Sequence, residues 1–367
     1  MQEETKTEYS QLRHRIKSRI SEDIFNAMPE NIRQELLNMG QEEIKEALLS
    51  DLLRLPWQQP KTVPDVDLVK AKYLLDRSHY AMFEVKEKVL RYMSCQKHLG
   101  KSYGAVLLLA GAPGVGKTTI AATIAAAMGR PCVKISLAGV SDSYFLRGAQ
   151  QVYRNAHHGR IVEAVIQTQS FCPVILLDEI DKMGASQEHG SPENVLLDLL
   201  DSDRSRYVDN FLSMPLDLSN AIFIATANDL HPLSPVLKDR MDIVELPSYT
   251  FPDKERIVHG FIWPKLLKEY RLESLDSLHD VLADMDHPVA ITKSLEITDE
   301  AVKLLISQCP EEGVRDLERL CRKLCEAVIS LYYARGILLG RIDEKNVKTL
   351  LEPIFYKVKQ ETPFRSE

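Results

Sequence analysis

The sequence predicts an α/β protein: a doubly wound domain around a five-stranded parallel sheet, followed by a small all-helical domain and preceded by a helical N-terminal segment. Three observations carry this expectation. Five short apolar runs alternate with helical stretches between residues 105 and 247, which is what a sheet covered on both faces by crossover helices requires. The first run breaks into glycines and restarts as a helix, "LLLAGAPGVGKTTIAATIA" from Leu107 to Ala125, a pattern suited to holding phosphate. Beyond Ser248 the apolar spacing becomes that of helices.

Taken in order, residues 1–60 read as a polar helical segment, with apolar positions at helical spacing in "IRQELLNMGQEEIKEALLSDLL" and a stop at Leu55-Pro56-Trp57. The stretch "QQPKTVPD" carries two prolines among polar residues and reads as a linker. Helices follow at "DLVKAKYLLDR" and "AMFEVKEKVLRYMSCQKHL". The apolar runs are then "AVLLLA" (105–110), "CVKISL" (132–137), "PVILLD" (173–178), "AIFIATA" (221–227) and "DIVELP" (242–247). These place a large α/β domain at 61–247. Helical patterns in "DKERIVHGFIWPKLLKEY", "TDEAVKLLISQC" and "VRDLERLCRKLCEAVISLYYARG" place a small helical domain at 248–345, with 346–367 as a tail or linker. No internal repeat or low-complexity tract interrupts this order.

Composition bounds the rest. At 367 residues, the chain exceeds the size at which one core stops growing. Hydrophobic residues at 44% and charged residues at 27% are ordinary globular values, and no segment reaches the length of a membrane span. The N-terminus carries three acidic residues in its first eight and lacks the apolar stretch of a secretory signal, so a cytoplasmic location is expected. A net charge of −7 argues against a dedicated nucleic-acid surface. The six cysteines fit no zinc or disulfide spacing, and Cys321 and Cys325, one turn apart, are expected to fill a core.

The chemistry begins at the glycine loop. Gly111, Gly116, Lys117 and Thr118 fit G-x-x-x-x-G-K-[ST], with Pro113, Gly114, Val115 and Thr119 in and beside the loop, a strand before it and a helix after it. Such a loop wraps backbone N–H groups around a β-phosphate, Lys117 neutralises phosphate oxygens and Thr118 ligates Mg²⁺, so the ligand is ATP or GTP. Asp178 ends the run "PVILLDEID" and is placed to hold Mg²⁺ through water, with Glu179 beside it to polarise an attacking water. Asn228 ends "AIFIATAN", where its amide serves either a turn or the orientation of that water. Arg240 in "LKDRMD" and Arg315 in "EEGVRDLE" are either solvated surface residues or contacts to phosphate, Arg240 to that of a neighbouring subunit.

Phosphate loop, Asp-Glu strand end, Asn and two arginines in this order resemble an AAA+ ATPase. The segments "LPW", "HYAMFEVKEKVLRYM", "GAPGVGKTT", "ISLAGVSD", "PVILLDEIDKMG", "FIATAN", "LKDRMDIVELPSYT" and "GVRDLER" resemble those of the Lon family of ATP-dependent proteases, over about residues 50–345. The resemblance implies a P-loop AAA+ domain followed by a small α-helical lid domain. It also implies ATP and Mg²⁺ as cofactors, Lys117 and Thr118 as phosphate and metal contacts, and Asp178 and Glu179 as the metal-binding and water-activating carboxylates. Asn228 becomes the first sensor, Arg240 a finger acting in trans and Arg315 the second sensor, while Tyr80 and Tyr249 match positions near an adenine pocket. A homohexamer and unfolded or tagged protein substrates are implied as partners, while composition speaks against a membrane partner and, without excluding it, against nucleic acid.

The sequence departs from the Lon pattern in three places. Where that pattern has a tyrosine, an aliphatic residue and a glycine before "AMPG", this chain reads "VYRNAHHGR". Tyr153 keeps the aromatic of the substrate-gripping loop, but Arg154 and Asn155 replace its apolar and flexible partners, and a guanidinium favours acidic or aromatic segments. His157 and His158 could tune that loop with pH, but they read first as a pair of solvated loop histidines. No serine–lysine peptidase motif occurs in these residues, so no peptidase chemistry is assigned to them. The substrate-recruiting domain typical of the family is expected to be missing or reduced to the helical segment at 1–60. The leading reading is a ring-forming motor that unfolds and translocates proteins; the alternatives are a stand-alone remodeller without a protease and, from a third class, a nucleic-acid-acting loader.

Overall fold

The computed structural model describes residues 20–38, 46–59, 63–102, 106–184, 190–201, 204–273 and 294–352. The first 19 residues of the expected N-terminal segment and residues 353–367 of the expected tail lie outside them. The chain divides into two compact units. The first comprises residues up to Arg77, Ala81–Gly111 and Lys117–Leu246; the second comprises Ser78–Tyr80, Ala112–Gly116 and the chain from Pro247 onward.

In the first unit the apolar runs form the expected five-stranded parallel sheet. Its strands are β1 (Leu107–Ala110), β2 (Cys132–Ser136), β3 (Val174–Asp178), β6 (Ile222–Ala227) and β7 (Asp242–Glu245), in the order β2-β3-β6-β1-β7. The strands β4 (Tyr207–Val208) and β5 (Pro215–Leu216) form a separate antiparallel pair. β3 and β6 are buried at every residue, as their largely apolar sequences require, whereas the edge strand β2 is exposed at three of its five positions. The register sets Leu107 beside Ile224, Leu177 beside Ala225, and Ser136 beside Asp178. In this parallel arrangement β1, β3 and β6 all end on the same edge of the sheet, so Gly111, Glu179 and Asn228 follow strands that stop together.

Helices Glu22–Ala27, Glu30–Asn38 and Glu46–Arg54 contribute Phe25, Ile32, Leu36, Leu48 and Leu52 to the same apolar core that Ile175, Leu177 and Phe223 fill from the sheet. Trp57 closes this seam. Its ring lies 5.3 Å from that of Phe171, and its indole N–H donates to the Leu52 carbonyl at 2.6 Å.

The second unit has its own core, built from Trp263, Leu266, Val302, Leu305, Leu317, Leu324 and Val328 among others. The stretch read as one helix from "DKERIVHGFIWPKLLKEY" is Phe251–Ile257, a π-helical turn at Val258–Ile262, and Trp263–Glu269. The wide turn lies immediately before Pro264, whose ring and missing N–H prevent an unbroken α-helical ladder there. Helices Asp299–Ser307, Arg315–Arg335 and Glu344–Leu351 complete the unit. A two-residue parallel pair, β8 (Glu296–Ile297) with β9 (Arg341–Ile342), adds a feature too short to show any periodicity in sequence. Cys321 and Cys325 are fully buried in this core. Burial holds both thiols protonated, raising Cys321 well above its ordinary value and Cys325 to about 12. Among the described residues no helix is long and apolar enough to cross a membrane.

Candidate functional site

In the first unit, a hydrogen-bonded corner forms where β1, β3 and β6 end. Gly111 donates its N–H to the Ala227 carbonyl at 3.2 Å, with φ at +148°. A Cβ there would meet the Leu246 carbonyl oxygen at 2.7 Å, so only glycine fits. Lys117 opens the helix Lys117–Ala127, and its buried ammonium donates to the Gly111 carbonyl at 2.6 Å and to Asn228 Oδ1 at 2.8 Å. Burial lowers its pKa, and the charges of Asp181, Asp178 and Glu179 oppose that shift.

Asp178 is the hub of the corner. Its Oδ1 accepts from Thr118 Oγ1 at 3.1 Å and from Thr226 Oγ1 at 2.6 Å, and its Oδ2 pairs with Lys134 Nζ at 2.5 Å. Burial alone would raise this carboxyl, but the hydrogen bonds from Lys134 and Thr226 outweigh it and hold Asp178 below the usual carboxylate range. Glu179 follows with φ at +59°, a left-handed conformation that strains any residue but glycine. Its N–H is held by Thr226 Oγ1 at 3.0 Å. The Thr118 hydroxyl and the Asp178 carboxylate form an all-oxygen donor pair of the kind Mg²⁺ takes. Among the described residues, both carboxylate oxygens of nearby Asp181 are buried without a hydrogen bond, and Oδ2 lies 3.6 Å from Lys182 Nζ. Concentrated anionic oxygen beside a lysine suits a magnesium–phosphate ligand.

Lys134, Thr226 and Asp181 are the members that sequence reasoning missed. The only signal for the first two is a polar residue inside an otherwise apolar strand, in "CVKIS" and "FIATAN". Thr119 is exposed, and its carbonyl accepts from Thr123 Oγ1 within the helix.

The remainder of the glycine loop, Ala112–Gly116, packs within the second unit. Gly114 and Gly116 have φ of +80° and +98°. The Gly114 carbonyl accepts from the Val314 N–H at 3.1 Å. A Cβ on Gly313 would meet the Pro113 carbonyl oxygen at 2.4 Å, so the backbone of this loop lies directly on that of the turn leading into helix Arg315–Arg335. Arg315 is thus placed against Gly114 itself, 3.0 Å from where a Cβ would stand. Tyr249 donates its hydroxyl to the Val115 carbonyl at 2.9 Å, and burial pushes that hydroxyl up to about 12. Tyr80 accepts from Arg256 at 2.6 Å, with the guanidinium 5.9 Å from its ring centroid. Arg256 is a partner that the sequence did not single out.

Arg240, after the short helix Pro235–Asp239, makes its hydrogen bonds to the Leu197 carbonyl and to Asp201, and not to the Lys117–Asp178–Asn228 set. The loop after helix Tyr144–Arg147 exposes Val152 at 84% and Tyr153 at 49%. Arg154 is exposed too, and Asn155 has φ of +64°. Tyr144, also missed in sequence, stands beside Tyr153 with ring centroids 5.8 Å apart and hydroxyls at 3.4 Å. The expectation of two solvated histidines needs correction. His157 is exposed, but His158 is largely buried between Asp51 and Glu163, because the chain turns inward there to enter helix Arg160–Thr168.

A family model described as "ATPase family associated with various cellular activities (AAA)" matches residues 107–249. The chain is 38% identical over 296 residues to the Lon protease of Dictyoglomus thermophilum, covering 80% of this chain and 34% of that protein. It is 38% identical over 333 residues to Lon protease 4 of Sorangium cellulosum, covering 89% of this chain and 39% of that protein. A peroxisomal Lon protease homolog 2 of Spinacia oleracea is 38% identical over 282 residues, covering 76% of this chain and 29% of its own length. The chain therefore spans roughly a third of the length of these relatives.

Proposed function

The chain belongs to the AAA family of ATPases, as an ATPase module of the Lon type, and from that premise we propose that it is the motor of a ring that couples ATP hydrolysis to the unfolding and translocation of proteins. The observation that carries the reading is the corner in which Lys117, Asn228, Thr118 and Asp178 are already joined by hydrogen bonds at the ends of three strands. Each group there has a partner that phosphate, metal or water replaces, so the site is organised before ligand arrives.

In this mechanism the Lys117 ammonium transfers its hydrogen bonds to phosphate oxygens, and the loop N–H groups hold the β-phosphate. Mg²⁺, held by Thr118 and through water by Asp178, neutralises phosphate charge when bound. Asn228 orients a water in line with the γ-phosphorus, and Glu179 accepts a proton from it as the new P–O bond forms. The bond to the ADP oxygen breaks, releasing ADP and inorganic phosphate. The strained backbone at Glu179, pinned through Thr226 to Asp178, fixes the base relative to the metal-binding carboxylate. Arg315, on the loop's own Gly114, senses the phosphates. Arg240 leaves Leu197 and Asp201 to stabilise charge at a neighbouring subunit's nucleotide. That role requires a ring, here a homohexamer. Tyr153 and Val152, presented to solvent, are the surface that grips an unfolded or tagged protein, and the motor works in the cytoplasm.

The test is steady-state ATP turnover per subunit against protein concentration, with Arg240→Ala alongside. Turnover that rises with concentration and drops by about 100-fold in the variant is expected. Turnover indifferent to both would mean a self-contained nucleotide site and would end the ring-motor reading.

A further inference from the structure

A buried charge cluster at the neck of the Tyr153 loop is used by nothing above. His158 immediately precedes Gly159, the N-cap of helix Arg160–Thr168, and faces helix Glu46–Arg54 from across the first unit's core seam. Its Nδ1 lies 2.6 Å from Asp51 Oδ2 and its Nε2 2.8 Å from Glu163 Oε2. The three side chains are only 11%, 12% and 20% exposed. Arg54 reaches both carboxylates, at 3.4 Å from Asp51 and 3.5 Å from Glu163. Asp209, buried behind the neck, accepts the N–H groups of Gly159, Phe211 and Leu212 and adds negative charge felt by the ring.

Both ring nitrogens thus face carboxylate oxygens, and only the imidazolium has two N–H groups to donate. A neutral ring would turn one lone pair towards a carboxylate. Protonated His158 and Arg54 balance Asp51 and Glu163 charge for charge; deprotonation leaves one buried anion uncompensated. Burial by itself favours the neutral ring, but the hydrogen bonds and charges of Asp51 and Glu163 outweigh it and raise the His158 pKa. Glu163 moves the opposite way: burial would raise it, yet hydrogen bonds from His158 and Gln167 hold it low.

The neck itself is narrow. The Ala149 N–H donates to the His157 carbonyl at 3.2 Å, and a Cβ on Gly148 would meet the Gly159 nitrogen at 2.8 Å. Whatever fixes His158 therefore fixes where the loop leaves the domain.

We infer that His158 is a positioning residue for the loop carrying Tyr153: as the imidazolium, it pins the neck to helix Glu46–Arg54, and its deprotonation releases the neck. The consequence for substrate grip rests on the motor reading; the clamp does not. Because the folded pKa is raised, the clamp is complete below the ordinary histidine value of about 6.5 and is lost as pH rises through the raised value.

Hydrogen exchange of the amides in 149–158, followed by mass spectrometry across about pH 6 to 9 and corrected for intrinsic base catalysis, tests this. Wild-type protection is expected to fall about tenfold for each unit by which the His158 midpoint, read by NMR of its ring, exceeds that of a free histidine. His158→Gln should show weak protection without a pH step, Asp51→Asn should lose the step, and His158→Lys should restore protection without one. His157→Gln, which removes an exposed ring whose Nδ1 lies 2.8 Å from the His158 carbonyl, should keep the pH step. A wild-type step surviving in His158→Gln, or in Asp51→Asn should the glutamine variant not fold, overturns the inference, as does a His158 midpoint at or below the free value. No nucleotide or substrate enters the experiment, so a failed clamp and a failed motor are told apart.

Discussion

The Lys117–Asp178 corner and the Tyr153 loop belong to the same unit and are built in opposite ways. In the corner, Lys117, Thr118, Asp178, Thr226 and Asn228 hold one another at 2.6 to 3.1 Å at the ends of fully buried strands. The loop is tied at its neck, and its tip offers Val152, Tyr153 and Arg154 to solvent. The difference teaches what each has to do. A site that stabilises charge during bond breaking gains from dipoles fixed in advance in a dry setting. A surface that holds many unrelated segments gains from exposed, adaptable contacts, with only its point of attachment fixed.

The contrast can be broken or sharpened by substitution. The largest expected effect is that of Glu179→Gln, which should lower ATP turnover by about 10²- to 10⁴-fold while leaving ATP affinity within about threefold, because the phosphate and metal contacts stay in place. Normal turnover would assign the water-activating role to another group. Next comes Lys117→Ala, expected to weaken ATP binding by about 100-fold in an equilibrium titration, since it removes the cation and unties Asn228 and Gly111 together. Unchanged affinity would remove the phosphate from this corner. The smallest effect belongs to the loop: Tyr153→Ala should slow ATP-driven unfolding of a protein substrate by about three- to tenfold with ATP turnover preserved. If unfolding were unchanged, the gripping role would be lost, and if turnover fell as far as in Glu179→Gln, the two regions would not be separable as drawn.

The placement of the glycine loop after a strand and before a helix was legible because its parts are contiguous: an apolar run, glycines, a lysine, then helical spacing. Asp178 and Asn228 were legible for the same reason, each as a polar residue closing an apolar run. Lys134 and Thr226 were not, because their importance comes from Asp178 lying across the sheet from them, at a register that no local pattern encodes. His158 misled in the other direction. Its local sequence, flanked by glycine and polar residues, is that of a solvated loop, and what buries it is a helix 107 residues earlier.

The sequence by itself determined the alternation of strands and helices, and with it the five-stranded sheet and the identity of the residues at its strand ends. Hydrophobic period and glycine chemistry act over a few residues, so they can be read directly along the chain. Only the tertiary structure decided which polar groups became one another's partners: Asp178 with Lys134 and Thr226, Arg240 with Leu197 and Asp201, and His158 with Asp51 and Glu163. Those pairings depend on strand register and helix docking between segments distant in sequence. Around Asp178 and His158, where these groups are buried, a charge left without a partner would be costly.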